Sequence, residues 1–424
     1  MRVLIVNTSE RTGGAAVAAN RLMEALRNNG VKSKMLVRDK LTDNLCVVQH
    51  PQQRRLRWTF LWERLVIWLH LRLRRKRLFE IDIANCGADI TRLPEFQEAD
   101  VIHLHWVNQG MLSLKQIRKI LDSGKRVVWT MHDIWPATAI CHYARGCIRY
   151  STQCQYCTLL PNGGGKHDLA AKTWHKKQQV LSNKHVAFVA CSEWLAGEAR
   201  KSALLKGQII MSIPNPIDTH VFRPQNKSIA RRAIGLPEEG RVILFVSQRV
   251  TDERKGVAFL VDAIKQLVCQ HEIYKTNTCI AILGGHAEEI ANLLALPVHA
   301  LGYVNDPKRI VEVYNSADVF VLPSLEDNLP NTIMEAMACG VPCVGFEVGG
   351  IPEMIDHRKT GYVAHCRDAE DLATGLHWVL DEADYSSLSE ACLHKVHSNY
   401  SQQSVALKYA NVYQNLTNKT RTSS

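Results

Sequence analysis

Short apolar runs of strand length alternate with longer segments whose apolar residues recur every three or four positions, the period of an α-helix. Such runs occur at 2–6, 100–105, 126–131 and 185–191, and again at 241–247, 279–283, 319–322 and 341–346. Alternating strands and helices build parallel sheets that bind ligands beyond the carboxyl ends of the strands. The pattern predicts an α/β protein with two successive series of alternating strands and helices.

Pro214-Asn215-Pro216 separates the two series, because prolines flanking an asparagine make a stiff, extended crossing. We assign residues 1–213 to an N-terminal domain, 214–240 to a polar linker and 241–398 to a C-terminal domain. Residues 399–424 are expected to form a final helix followed by a disordered tail.

The second series carries paired charges in two of its loops. Asp327 and Glu335 face the loop after the run 319–322 and the opening of the helix that follows it. The loop QRVTDERKG, after the run 241–247, carries Arg249, Arg254 and Lys255 just before a helix. Cations at a helix N-terminus match a diphosphate, because the helix dipole adds partial positive charge.

The first series offers a glycine turn and histidines after its strands. Gly13-Gly14 lies where the backbone can approach a phosphate or a sugar at a helix N-terminus, although a simple tight turn explains the pair equally well. The turn is neither G-x-G-x-x-G nor a Walker loop, which argues against nicotinamide and P-loop chemistry. His132-Asp133, at the end of a strand, is the stronger histidine candidate, while His103 and His105 follow the preceding strand.

Four cysteines cluster in the loop 141–157: Cys141, Cys147, Cys154 and Cys157. The two-residue gap of the last pair allows two thiolates to bind one tetrahedral zinc ion, whereas the five-residue gap of the first pair is longer than usual. We therefore expect a structural zinc site here, with four free or buried thiols as the alternative.

The segment 54–77 holds nine arginines and lysines against one acid, Glu63, interleaved with Trp58, Trp62, Trp68 and leucines. A basic helix of this kind suits the surface of an anionic membrane. The alternative is an amphipathic helix packed on its own domain with a solvated basic face. Nucleic acid is a weaker candidate, because no nucleic-acid motif accompanies the charge.

The basic composition favours phosphate-bearing partners or an anionic membrane surface, and the charge alone does not choose between them. The net charge is +11, and 46% of the 424 residues are hydrophobic. The N-terminus lacks the features of a signal peptide, and no apolar run reaches the roughly 18 residues of a membrane span. We expect a cytoplasmic protein with reduced thiols, held peripherally at the inner face of the plasma membrane through 54–77.

With these residues in view, the chain resembles the retaining glycosyltransferases of family four, also called glycosyl transferases group 1. The motifs ADVFVLPS, PNTIMEAMACGVP, VGGIPE and GY follow in the family's order between 317 and 362. The stretch HDIWPATAICHY, with the cysteines after it, is similar to members that build bacterial surface polysaccharides. The resemblance implies GT-B architecture, in which two Rossmann-like domains face a central cleft, and catalysis without a metal cofactor.

The resemblance also implies roles for individual residues. Arg249 and Lys255 would contact the diphosphate of a nucleotide-sugar, Glu335 the ribose hydroxyls and Asp327 the donor sugar. His132 would lie by the reactive carbon of that sugar. Gly13-Gly14 would lie near the donor phosphates or the acceptor, and the remaining implied donor contacts are Asn331, Gly349 and Gly350.

Two departures from the family pattern leave alternatives open. The family has glutamate where this chain has Asp327, so the adjacent Glu326 is a second candidate for the sugar contact. The arginine-to-lysine spacing is six here rather than five, so Arg254 competes with Arg249 for the phosphate.

The resulting hypothesis is transfer of a sugar from a UDP- or GDP-sugar to a lipid-linked saccharide. One alternative is another GT-B enzyme, either a glycosyltransferase with a soluble small-molecule acceptor or a nucleotide-sugar epimerase. The other is a non-catalytic nucleotide-sugar-binding membrane adaptor, against which the intact acids and cations argue.

Overall fold

The computed structural model describes residues 1–304 and 306–421, with side chains described as far as 416. The chain forms two compact units, which we call unit 1 (Met1–Asn215 together with the chain from Val405) and unit 2 (Pro216–Ser404). Each unit is a parallel sheet with helices, so the predicted α/β fold is confirmed. In the described part of the chain, no helix is long and apolar enough to cross a membrane.

Unit 1 is built on a seven-stranded sheet in the order β3-β2-β1-β4-β5-β6-β7. Its strands are β1 (Arg2–Ser9), β2 (Lys32–Asp39), β3 (Val47–Gln49), β4 (Val101–Leu104), β5 (Arg126–Met131), β6 (Ala187–Ala190) and β7 (Ile209–Ser212). Its helices are α1 (Gly14–Asn28), α2 (Gln53–His70), α3 (Pro94–Glu98), α4 (Leu114–Leu121), α5 (Leu169–Leu181) and α6 (Glu193–Lys201).

The central strands of unit 1 are apolar on both faces because helices cover both. Leu4 and Val6 pack into one hydrophobic core, and Val3 and Ile5 pack into a second one. This explains the uninterrupted apolar run at the start of the sequence, since a strand buried on both sides cannot alternate with polar residues.

Unit 2 repeats the plan with a six-stranded sheet in the order β10-β9-β8-β11-β12-β13. Its strands are β8 (Arg241–Arg249), β9 (Thr278–Gly285), β10 (Val298–Gly302), β11 (Val319–Leu322), β12 (Cys343–Phe346) and β13 (Gly361–Ala364). Its helices are α7 (Lys227–Ile234), α8 (Val257–Gln270), α9 (Tyr274–Asn277), α10 (Glu288–Ala291), α11 (Pro307–Asn315), α12 (Asn331–Ala338), α13 (Ile351–Met354), α14 (Ala369–His377) and α15 (Tyr385–Asn399).

Both sheets have a point at which the strand order reverses direction. In unit 1 the reversal lies between β1 and β4, and in unit 2 it lies between β8 and β11. Loops that leave neighbouring strands at such a point diverge to opposite faces and open a crevice for ligands. The loops after these strands are therefore the first place to look for a functional site.

The predicted linker 214–240 is not a simple connector, because 227–234 forms α7 within unit 2. Asn226 caps this helix, and its Ala230 and Ile234 are buried. Arg231, which made the segment look polar, is itself buried and pairs with Asp318 at 2.6 Å. The sequence did not show that this charge had a partner.

Two other predicted segments end at different residues in the structure. The basic segment 54–77 is helical only to His70, and Arg72 and Leu73 then adopt positive φ angles of 51° and 65°. The final helix, predicted over 401–415, is α16 (Gln402–Arg421) and continues into the part expected to be a disordered tail. Residues 422–424 of that tail lie outside the described residues.

Candidate functional site

In unit 2, the predicted cations and acid meet because β8 and β11 are neighbours. Lys255, in the loop after β8, lies with its Nζ 2.6 Å from Oδ2 of Asp327, in the loop after β11. The Ser324 hydroxyl donates to the same oxygen at 3.2 Å. Burial alone would raise the pKa of Asp327, but Lys255 and Arg254 together lower it below its ordinary value. The carboxylate is therefore ionised at neutral pH.

Gly256 allows the two loops to approach closely. It caps the N-terminus of α8 in a left-handed conformation, with φ +69°. A Cβ atom at this position would lie 1.8 Å from the carbonyl oxygen of Pro323. Any other residue would push the β8 loop away from the β11 loop, and the contact between Lys255 and Asp327 would be lost.

The structure separates the two arginines that the sequence left in competition. Arg254 donates to the carbonyl oxygen of Glu326 at 2.8 Å, and its guanidinium lies 3.4 Å from Asp252 and 3.6 Å from Asp327. Its backbone carbonyl also accepts from the N–H of Leu325. Arg254 thus ties the β11 loop in place.

Arg249 is exposed at the end of β8. Its Nε donates to the hydroxyl of Thr251 at 3.1 Å, and it forms no ion pair within the described residues. This guanidinium is available to an incoming anion, whereas that of Arg254 is already engaged by the protein.

Glu335 projects from α12, the helix that follows the β11 loop. It is 9% exposed, and the hydroxyl of the fully buried Tyr314 donates to its Oε2 at 2.6 Å. This bond fixes the orientation of the carboxylate. Asn331 begins the same helix.

Gly349-Gly350 lies in the turn after β12 and contacts the same loop. Gly349 has a φ of +57°, and the N–H of Gly350 donates to the carbonyl of Asn328 at 2.9 Å. Lys255, Arg254 and the glycine turn therefore all contact one loop, 323–331, which contains Asp327, and Glu335 lies on the helix that begins at the end of this loop.

In unit 1, three residues that follow adjacent strands form a hydrogen-bonded chain. His105 follows β4, His132 follows β5 and Cys191 follows β6. Nδ1 of His105 lies 2.9 Å from Nε2 of His132, and Nδ1 of His132 lies 3.4 Å from Sγ of Cys191. The thiol of Cys191 donates to Oδ1 of Asn215 at 3.1 Å. Parallel strands bring their carboxyl ends to one edge, which explains the row.

The direction of these bonds makes His132 a neutral imidazole. Because the Cys191 thiol donates to Asn215, its sulfur accepts from Nδ1–H of His132, and Nε2 of His132 then accepts from His105. Burial lowers the pKa of His132 to about 4 and that of His105 well below its ordinary value. A neutral His132 can hydrogen-bond a ligand, but it carries no charge to stabilise an anion.

A second network holds the neighbouring Asp133. The ring of His142 bridges two carboxylates, with Nδ1 2.7 Å from Asp133 and Nε2 2.6 Å from Asp82. The indole N–H of Trp106 also donates to Asp133, at 2.9 Å. Burial alone would lower the pKa of His142, but the two carboxylates raise it to about 10. His142 is therefore an imidazolium that fixes Asp133.

Gly13 and Gly14 lie at the N-terminus of α1, in the turn after β1. Gly13 has a φ of +88°, and a Cβ atom there would meet nothing within 4 Å. The space above this turn is open, as an approach of a ligand to the backbone requires.

The cysteine cluster (Cys141, Cys147, Cys154 and Cys157) is half-buried, and all four thiols are free. Burial, together with the nearby Cys141, Cys147 and Cys157, raises the pKa of Cys154 to about 12. Among the described residues, no three histidine, cysteine, aspartate or glutamate side chains are arranged to hold a metal ion. The zinc site remains a prediction.

Sequence reasoning missed the residues that orient these groups. Tyr314, Asp82 and Asn215 are distant in sequence from the groups they contact, and no local motif points to them. His142 was visible only as a neighbour of Cys141. His105 and His132 follow β4 and β5, which are neighbours in the sheet. Recognising these two strands as neighbours would have predicted that the two histidines meet.

Comparison with known protein families shows which family the chain belongs to. Residues 12–221 match the model described as Glycosyltransferase Family 4, and residues 240–382 match the model described as Glycosyl transferases group 1. The chain belongs to glycosyltransferase family 4 and is a nucleotide-sugar-dependent glycosyltransferase. The family predicted from the sequence is confirmed.

Relatives and solved structures agree with this assignment. An uncharacterized glycosyltransferase of Methanocaldococcus jannaschii is 25% identical over 79% of this chain and 89% of its own length. The N-acetyl-alpha-D-glucosaminyl L-malate synthase of Bacillus anthracis is 24% identical over 48% of this chain, which spans about half (53%) of that relative.

Among solved structures, sucrose-phosphate synthase from Thermosynechococcus elongatus superposes with a TM-score of 0.66 at 18% identity, covering 99% of both chains. Anabaena HepE in complex with UDP-glucose superposes with a TM-score of 0.62 at 14% identity, covering 98% of this chain and all of HepE. The GT-B fold predicted from the sequence is thereby confirmed.

Proposed function

We propose that this glycosyltransferase transfers a sugar, with retention of anomeric configuration, from a UDP- or GDP-sugar to a lipid-linked saccharide in the synthesis of a surface polysaccharide. The observation that carries the donor half of the proposal is the contact between Lys255 and Asp327 at the reversal point of the unit 2 sheet, with Glu335 on the helix that follows. This contact supports the proposal because it brings cations that could bind a diphosphate next to a carboxylate that could accept from hydroxyl groups.

In this proposal, Arg249 and Lys255 bind the diphosphate and stabilise the negative charge that develops as the bond to the sugar breaks. Because these protein cations assist the leaving group, the reaction needs no metal cofactor. Asp327 accepts hydrogen bonds from the donor sugar, while Glu335, oriented by Tyr314, accepts from the two ribose hydroxyls.

His132 is proposed to lie by the reactive carbon of the donor sugar. Its low pKa makes it a neutral hydrogen-bonding group rather than an acid. Both ring nitrogens have protein partners in this structure, so a bond to the sugar would replace one of them. Gly13, Gly14, Asn331, Gly349 and Gly350 are proposed as further donor contacts.

The test is transfer from radiolabelled UDP- and GDP-sugars by wild type, Lys255→Ala and Glu335→Ala. Both substitutions should abolish transfer while circular dichroism shows an intact fold, and retained activity would refute the assignment. The configuration of the new linkage, read from the anomeric proton coupling in NMR, tests retention.

The lipid-linked acceptor is supported by α2, which exposes apolar side chains beside its basic ones. Trp58 is 73% exposed and Trp62 is 57% exposed. Exposed tryptophans among arginines suit the headgroup region of an anionic membrane. Neutralising the arginines and lysine of 72–77 should shift the protein from membrane to soluble fractions, and unchanged fractionation would remove the support for membrane contact.

A small-molecule acceptor is the second candidate, favoured by the name of the malate synthase relative. Transfer to malate or to an inositol phosphate in the absence of any lipid would favour it over the lipid-linked acceptor.

We also propose that the cysteine cluster holds a structural zinc ion that pins the loop 141–157. The support is the C-x-x-C spacing of Cys154 and Cys157. Because no three thiols of the described residues are arranged for a metal ion, binding would require the loop to close around the zinc.

A further inference from the structure

A basic cavity of about 520 Å³ lies in unit 1, away from the candidate donor-site residues described above. Its charged lining consists of Arg55, Arg92, Lys115 and Lys119, with one acid, Asp89. The volume falls within the few hundred to about 1,000 Å³ that is usual for small-molecule sites.

The single acid does not neutralise this cavity. The backbone N–H and hydroxyl of Thr91 donate to Oδ1 of Asp89 at 2.9 and 2.7 Å, and Lys119 donates to Oδ2. Within the described residues, Arg92 and Lys115 are exposed and form no ion pair, and the guanidinium of Arg55 hydrogen-bonds only the side chain of Gln52, at 3.4 Å. Three positive charges therefore face the cavity without a matching carboxylate.

The cavity adjoins the apolar stripe of α2. Arg55 lies in the first turn of α2, and Trp58 and Trp62 follow it at the three- and seven-residue spacing that places side chains along one side of a helix. Leu65 and Leu69 continue the stripe and are 42% and 56% exposed. An anion bound at Arg55 would therefore lie at one end of this exposed apolar stripe.

We propose that this cavity binds the phosphate headgroup of an anionic membrane phospholipid. Guanidinium and ammonium groups pair with phosphate oxygens by charge-assisted hydrogen bonds, and the stripe beside them takes hydrocarbon. The inference rests on the proposed membrane contact. It makes that contact more specific, because it assigns one headgroup site in place of a general attraction between basic residues and the membrane.

The experiment measures binding of the full-length protein to phosphatidylcholine vesicles with and without phosphatidylglycerol, by co-sedimentation. The test variant is Arg92→Ala combined with Lys115→Ala, both exposed side chains whose loss leaves the core intact. The control is Lys32→Ala combined with Lys206→Ala, two exposed lysines of unit 1 that remove the same charge away from the cavity.

Because a basic residue at an anionic surface is worth about a fivefold change in binding, the test variant should bind phosphatidylglycerol vesicles at least about tenfold more weakly than wild type. The control variant should lose less than about threefold. Inorganic phosphate should release wild type from these vesicles more effectively than chloride at equal ionic strength, and this difference should vanish in the test variant.

Separate outcomes identify which claim fails. If wild type does not bind phosphatidylglycerol vesicles, the proposed membrane contact itself is wrong. If wild type binds and the test variant behaves like the control, the cavity is not a headgroup site although membrane contact stands. If the test variant loses binding only to phosphatidylcholine vesicles that carry a polyprenyl diphosphate, the cavity serves the acceptor lipid and the phospholipid proposal is overturned.

Discussion

Replacing Arg249 and Arg254 separately by alanine should damage the protein in different ways. Arg249 is exposed, and within the described residues its side chain hydrogen-bonds only Thr251, so its replacement by alanine should leave the fold unchanged. Arg254 ties together the β8 and β11 loops through Glu326, Asp252 and Asp327, so its removal should loosen the site itself.

The size of each effect follows from these contacts. Loss of a hydrogen bond from a charged donor costs about 1.5–3 kcal/mol, and the two longer ion pairs of Arg254 are partly exposed and add little. For a unit of this size that cost lowers the melting temperature by about 3–12 °C. Arg249→Ala, a surface change, should alter it by less than about 2 °C.

The two substitutions should affect catalytic activity in a different way from thermal stability. If Arg249 stabilises the leaving diphosphate, Arg249→Ala should reduce kcat/KM by about 10²–10³-fold at nearly wild-type stability. Arg254→Ala should lose both stability and activity, while Arg232→Ala, at an exposed arginine of the same unit, should change neither. Melting curves and initial rates with a radiolabelled donor measure the two properties. Wild-type rates for Arg249→Ala, together with an inactive but fully stable Arg254→Ala, would show that the roles are reversed.

Three further predictions concern unit 1. The two carboxylates raise the pKa of His142 from 6.5 to about 10, so its protonated form stabilises the fold fully below pH 6.5 and loses this effect as the pH rises through 10. The melting temperature of wild type relative to His142→Gln should therefore fall steadily between pH 6.5 and 10, and a constant difference would contradict the bridge. Trp58→Ala with Trp62→Ala should release the protein from anionic vesicles without loss of stability, whereas Trp194→Ala should not. Elemental analysis of protein purified without chelator should find about one zinc per chain if the cysteine cluster binds it, and less than about a tenth of an equivalent would end that proposal.

The sequence predicted the fold correctly and indicated where the charged loops and glycine turns of the candidate site lie, because both depend on local patterns. Strand runs, glycine turns and charged loops are readable one element at a time. The position of Asp327 beside Lys255 follows once β8 and β11 are taken as neighbours, and parallel α/β folds make that pairing usual.

Interactions between distant segments could not be read in the same way. Arg231 looked like part of a solvated linker because the sequence does not show that Asp318 neutralises it. The sequence could not decide between Arg249 and Arg254 as the phosphate ligand. The geometry of the loop determines which of the two guanidinium groups already has partners within the protein. Tyr314 orients Glu335 from another helix, and only the folded chain brings them together.

Calorimetric titration of UDP and GDP into wild type, Glu335→Gln and Tyr314→Phe tests the central claim most directly, because it measures nucleotide binding without requiring the acceptor. If Glu335 holds the ribose hydroxyls, Glu335→Gln should weaken the preferred nucleotide by at least about tenfold, as expected for loss of a charged hydrogen-bonding partner. Tyr314→Phe, which removes the orienting bond but keeps the carboxylate, should weaken it less. Equal nucleotide affinity in wild type and Glu335→Gln would contradict the assignment of Glu335 to the donor.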